Sequence, residues 1–237
     1  FNILWSLAVE EQFYLVWPLV ALTLNRRSFI HVCLTFVLLA PIFRLASGAV
    51  FGLRAAYVLP FCRADALLLG ALLAVLLEDP RWRPRVLTFC RRAAPLALAG
   101  LIWIVAGPQQ LLLPGNTSGV WFLFGYTILA LHLVIIVGAT IGGGPIPRAL
   151  LGNSPMVKIG RISYGIYLWQ WLVADLMLAG LEAFRPDGVP LPVRIGLWLV
   201  LTLGMATLSW VGFEKPILRL KRRFEYQPGS VSRSSAL

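Results

Sequence analysis

Two adjacent carboxylates, Glu10 and Glu11, sit inside a run that is otherwise apolar, from Phe1-Asn2-Ile3-Leu4 to Trp17-Pro18-Leu19-Val20. An ionisable side chain near the middle of a membrane helix costs roughly 2.5–3.5 kcal/mol on insertion scales, so such residues are rare and usually functional. At about 100° per residue, Ser6, Glu10, Phe13 and Trp17 share one stripe, with Glu11 and Tyr14 on its flank. Ala8, Val9, Gln12 and Val16 fall on the other side. The spacing predicts a face that offers a hydroxyl, two carboxylates and a phenol to its neighbours. The alternative is a helix end whose glutamates reach water.

Other polar groups interrupt later apolar runs. Arg63 and Asp65 open the run Phe61-Cys62-Arg63-Ala64-Asp65-Ala66-Leu67-Leu68-Leu69-Gly70. Two apart on a helix, they diverge, so each needs a partner elsewhere, and Arg44 and the Glu10/Glu11 cluster are the candidates. A structural ion pair and a catalytic role both fit. Late in the chain Ser163, Tyr167 and Gln170 share one stripe, with Tyr164, Trp171 and Asp175 on the next. An interfacial belt explains the tryptophans; the serine, glutamine and aspartate point instead to a cavity lining. His132 stands alone in its apolar run and reads as a neutral, hydrogen-bonded packing residue. Gly138 and Gly142 fit a close helix contact. The arginines from Arg81 to Arg92 could hold the phosphates of a cytosolic donor such as coenzyme A, although membrane topology alone also explains them. Asn116-Thr117-Ser118 matches a glycosylation acceptor. Cys33, Cys62 and Cys90 lack metal-ligand spacing and read as unpaired thiols; no metal site is expected.

The elements that position these groups are membrane helices. The 237 residues are 59% hydrophobic and 13% charged, about half the charge of an ordinary soluble domain. Apolar runs at about 4–24, 29–49, 62–78, 93–107, 119–142, 161–183 and 191–213 are long enough to cross a ~30 Å hydrocarbon core. The expected fold is therefore an all-α, polytopic bundle of about seven spans. The net charge of +11 would suggest nucleic acid in a soluble chain. Here it collects in alternate loops: of the 21 basic residues, all but Arg44, Arg54, Arg63, Arg185 and Arg194 fall on one side. The positive-inside rule makes that side cytoplasmic and excludes nucleic acid as the explanation. Glu10, Glu11, Arg44, Arg63, Asp65 and Asp175 then gather near the outer face, where opposite charges can pair and lower the cost of burial. The membrane domain is expected over 1–220 and a disordered cytoplasmic tail over 221–237.

Trp5-Ser6-Leu7-Ala8-Val9-Glu10-Glu11-Gln12-Phe13-Tyr14-Leu15 with Trp17-Pro18 resembles the signature of the acyltransferase-3 family of bacterial integral-membrane O-acyltransferases. Arg63-Ala64-Asp65-Ala66-Leu67-Leu68-Leu69-Gly70, Ser163-Tyr164-Gly165-Ile166-Tyr167-Leu168-Trp169 and Glu214-Lys215-Pro216 are similar to its later blocks. The resemblance implies transfer of an acyl group, often acetyl, from acyl-CoA to a hydroxyl of an envelope carbohydrate, with acyl-CoA as co-substrate and no permanently bound cofactor. It implies a multi-pass protein of the bacterial cytoplasmic membrane with a cytoplasmic C-terminus. Glu10, Glu11, Arg63 and Asp65 would be the catalytic set. Trp5, Ser6, Tyr14, Arg44, Ser163, Tyr164, Tyr167, Trp169 and Gln170 would bind substrate. Two departures stand out. Gln170 follows Trp169 where the family often has histidine. Family members also carry N-terminal spans with a histidine regarded as catalytic, so the chain is expected to be an N-terminally truncated fragment, inactive alone. A transporter or a non-catalytic envelope-assembly protein are the rival readings; paired inverted repeats, which would favour the former, are not evident.

Overall fold

The computed structural model describes residues 4–106, 119–184 and 189–221. Every described element is a helix: α1 Leu4–Thr23, α2 Arg26–Phe51, α3 Leu53–Val58, α4 Pro60–Glu78, α5 Arg83–Ala106, α6 Gly119–Ile141, α7 Pro145–Leu151, α8 Ser154–Phe184, α9 Leu191–Ser209 and α10 Lys215–Lys221. Seven of these match the expected spans. Five segments, carried on α2, α3–α4, α5, α6 and α9–α10, are long and apolar enough by themselves to cross a membrane. α1 and α8 are long enough, but they are diluted by Glu10, Glu11 and Gln12 in one and by Lys158, Arg161, Gln170 and Asp175 in the other. Asn116 to Ser118 and residues 222–237, where a glycosylation acceptor and a tail are expected, lie outside the described residues.

Three expected loops are partly helical. α3 occupies much of the stretch between the second and third spans, α5 begins at Arg83 within the basic loop, and α7 lies between the fifth and sixth spans. Local chemistry sets the breaks. Gly52 separates α2 from α3 at φ 85°, a left-handed conformation that a side chain would strain. Leu59 is extended (φ −69°, ψ 136°) because Pro60 follows, and Pro60 then opens α4 where no N–H is needed. Asn25 caps α2 by accepting from the Ser28 N–H at 2.9 Å.

The chain divides into two compact units, Phe1–Asn153 and Ser154–Leu237. In the first, α2 packs on α4, α5 on α6, and α4 also meets α1 and α6. Lipid tails are as apolar as leucine, so helix contact here depends on close fit rather than on hydrophobic burial. The fit is visible at glycines. A Cβ at Gly100 would run into Nε2 of the His132 ring and lie 2.7 Å from its Cδ2, and one at Gly138 would lie 2.6 Å from Cys90 Sγ. The close contact expected at Gly138 is therefore made, between α6 and α5. Cys33, Cys62 and Cys90 are all buried free thiols.

In the second unit α8 packs on α9, with Gly165 against Ala206. A π-helical turn, Trp210–Glu214, joins α9 to α10, and the Lys215 N–H donates five residues back to Trp210 O. Pro216 lacks the N–H that would continue an α register, so the widened turn falls where that bond is lost. Ser209 Oγ donates to Glu214 Oε1 at 3.3 Å across it.

Candidate active site

Pro60 starts α4 so that Arg63 and Asp65 fall within its first two turns. At a separation of two they point apart, and each meets different partners. Asp65 is 1% exposed and pairs with Arg44 of α2, which is 0% exposed. Arg44 Nη2 donates to Asp65 Oδ2 at 2.5 Å, and Nε donates to Cys62 O at 2.9 Å. Its Nη1 donates to Leu123 O at 2.6 Å and to Thr127 Oγ1 at 3.0 Å, both on α6. Thr127 Oγ1 in turn donates to Asp65 Oδ2 at 2.5 Å. One guanidinium thus ties three helices together, and a charge buried this deeply is tolerable because so many of its donors are met.

Arg63 is held differently. Its Nε donates to Tyr57 O at 3.0 Å, and neither ion pair found among the described residues includes it. Three rings surround the guanidinium carbon instead: Tyr126 at 3.7 Å, Tyr57 at 4.5 Å and Trp5 at 5.4 Å from their centroids. Trp5 and Tyr57 also contact each other, at 4.7 Å. Ring faces attract a cation without neutralising it. The result is a fixed, half-buried positive charge with no ion-pair partner among the described residues. The Tyr126 ring also lies 5.5 Å from Arg44, so the clamp and the caged arginine share a wall.

The pairing expected for Glu10 and Glu11 is not made. Both are exposed, and among the described residues neither forms an ion pair. The buried edge of α1 is Trp5, Val9, Phe13 and Trp17. Phe13 stacks on Trp17 at 4.9 Å, and both pack against Phe29, Cys33 and Leu68. Aromatic packing turned the helix so that Val9, expected on the far side, faces inward, while Tyr14 is 57% exposed. Ser6 is half-buried. Arg44, expected to touch substrate, is sealed inside, and Asp65 with it.

In the second unit, Ser163 is exposed and its Oγ donates to Gly160 O at 2.8 Å. Tyr164 is exposed, and Tyr167, Trp169 and Gln170 are half-buried. Gln170 contributes its backbone carbonyl, which accepts from Trp198 Nε1 at 2.8 Å. Trp169 Nε1 is buried without a hydrogen-bond partner among the described residues. Asp175 is exposed. His132, in the first unit, makes a 2.6 Å bond from Nδ1–H to Ile128 O and fills the notch at Gly100, as a packing histidine should.

Tyr57, Tyr126 and Thr127 escaped the sequence reading. Tyr57 lay in an expected loop, and a tyrosine in an apolar run carries no mark of facing an arginine. Thr127 is one of several hydroxyls that can be satisfied by their own helix; only the position of Arg44 distinguishes it.

An acyltransferase domain model matches residues 1–214. O-acetyltransferase OatA of Staphylococcus aureus (strain NCTC 8325 / PS 47) is 26% identical over 223 residues, covering 90% of this chain and 35% of that protein. Peptidoglycan O-acetyltransferase OatA of Listeria monocytogenes is 28% identical over 227 residues, covering 90% of this chain and 34% of that protein. The chain spans about a third of the length of these relatives. No solved structure matches. With its Arg63 block and its opening Trp5–Leu15 motif inside the matched region, the chain belongs to the acyltransferase domain family.

Proposed function

We propose that the complete protein is a membrane O-acetyltransferase that moves an acetyl group from acyl-CoA to a carbohydrate hydroxyl of the cell envelope. The relatives are O-acetyltransferases by name, one of them of peptidoglycan. The observation that carries the reading is Arg63: a cation held by three rings, with no ion-pair partner among the described residues. When the acceptor oxygen attacks the thioester carbonyl, negative charge grows on the carbonyl oxygen. A preorganised donor at that point is worth about 10²–10³ in rate. Collapse of the intermediate breaks the C–S bond, releases CoA thiolate and leaves the ester, while a general base takes the hydroxyl proton. Arg63 is assigned the oxyanion, and Arg44, Asp65 and Thr127 hold it in place through Tyr126. Glu10 and Glu11 are assigned to orienting the base, from the face of α1 they leave open.

Orientation belongs to the same reading. Arg26 and Asp79 form an ion pair that joins the start of α2 to the end of α4. Arg27, Arg81, Arg83 and Arg85 cluster in those same two connections. We assign this side to the cytoplasm of a bacterial inner membrane, with the C-terminus on the same side.

The test is Arg63→Gln and Arg63→Lys in the complete protein, in membranes supplied with acetyl-CoA and peptidoglycan. Arg63→Gln should lose about 10²–10³ in transfer at unchanged expression. Arg63→Lys should recover little, because an ammonium lacks the flat fork that the rings hold. Wild-type transfer by Arg63→Gln would remove Arg63 from the reaction.

A further inference from the structure

One face of α5 has the polarity of a phospholipid. Near its start, Pro84, Arg85, Thr88, Phe89, Arg92 and Ala93 line an open groove of about 670 Å³. Farther along the helix, Ala99, Ile102, Trp103 and Ala106 line a second, of about 470 Å³ and mostly apolar. Arg85, Arg92, Leu96 and Trp103 are spaced by seven, four and seven residues, which at 100° each puts them on one stripe. Leu96 is 75% exposed and Phe89 63%, so no helix of the first unit covers this face.

Charge and length identify the occupant. Neither arginine has a carboxylate partner, since the ion pairs among the described residues are Arg26–Asp79 and Arg44–Asp65. Arg85 lies 5.7 Å from the Trp82 ring, and Arg91 Nη2 donates to Thr88 Oγ1 at 3.4 Å, so donors and an indole stand at the start of the helix near the groove. From Arg92 to Trp103 is eleven residues, or about 16 Å of helix, close to the half-thickness of a ~30 Å hydrocarbon core. A lipid supplies an anion and an apolar chain in one molecule, with that spacing.

We propose that this face of α5 binds an anionic glycerophospholipid, its phosphate between Arg85 and Arg92 and an acyl chain passing Leu96 and Ala99 to Trp103. The site is separate from the caged arginine and does not depend on the acetyltransferase reading.

Native mass spectrometry of the full chain, titrated with phosphatidylglycerol or phosphatidylcholine, tests it. The wild type should retain phosphatidylglycerol preferentially. Arg85→Gln/Arg92→Gln should bind it roughly thirtyfold less tightly, from the per-arginine attraction of anionic lipid. A control of equal charge, Arg148→Gln/Arg161→Gln, should leave binding unchanged, and Ala99→Leu should weaken it by occupying the chain's path. Equal losses in the control pair, no preference for the anionic lipid, or full displacement by inorganic phosphate would each overturn the site. So would a disulfide between two copies of an Ala99→Cys variant that forms equally with and without phosphatidylglycerol, since the occupant would then be a second chain.

Discussion

Arg44 and Arg63 carry the same charge a few residues' reach apart, and the structure treats them oppositely. Arg44 has a buried carboxylate, two carbonyls and a hydroxyl; Arg63 has one carbonyl and three rings. Removing one partner of a buried pair leaves an uncompensated charge and costs roughly 3–5 kcal/mol, while replacing both by apolar groups of similar size is often neutral. Asp65→Leu should therefore lower the unfolding temperature sharply in detergent. Arg44→Met/Asp65→Leu should recover much of the loss, and additive losses would show that the pair is not one energetic unit. If the clamp serves Arg63 through Tyr126, the recovered double variant should still transfer acetyl groups poorly. A fully active double variant would reduce the clamp to a structural tie. The conservative Thr127→Ser keeps the hydroxyl bonded to Asp65 and should retain activity, which Thr127→Val should reduce.

Among the elements, the α5–α6 contact shows how narrow the tolerance is. Gly100→Ala would drive a methyl into the His132 ring, at 2.7 Å from Cδ2, and overpacking of this kind costs about 1–3 kcal/mol. His132→Ala should rescue Gly100→Ala in a thermal unfolding series, a coupling that independent sites would not show. Much of this level was legible beforehand. The seven long helices follow from apolar length and the Gly138 contact from small residues at the right spacing, while Arg44 is one of the candidate partners for the α4 charges, beside the Glu10/Glu11 cluster that pairs with neither. The rotation of α1 was not legible. Glu10 and Phe13 differ by 60° around the axis, and which of them faces the core was decided by a fit between Trp17, Phe29 and Leu68 that only three dimensions contain. The aromatic cage was hidden for the same reason, since Trp5, Tyr57 and Tyr126 come from three elements far apart in the chain.

At the scale of the whole molecule, the charge asymmetry of the loops becomes a statement about which helix ends face which compartment. Asp79 contributes to one of those ends. The Arg26 guanidinium, then the Arg81 N–H, hold its carboxyl below the usual 3.8. A lowered folded-state value means that the tie is present above 3.8 and is lost as pH falls through the lower value, so Asp79→Asn should matter at neutral pH and not in strong acid. The compartment itself can be read with thiols. Cys33, Cys62 and Cys90 are buried, so a new surface cysteine is the reactive one in a native membrane. Leu53→Cys, 50% exposed at the start of α3, lies at the end of α2 opposite Arg26, and Arg81→Cys is exposed beside Asp79. A membrane-impermeant maleimide added to intact cells should label Leu53→Cys and should reach Arg81→Cys only after permeabilisation. The reverse pattern would invert the bundle. Labelling of both from outside would mean that the basic connections are not cytoplasmic, and the positive-inside argument would fail for this chain.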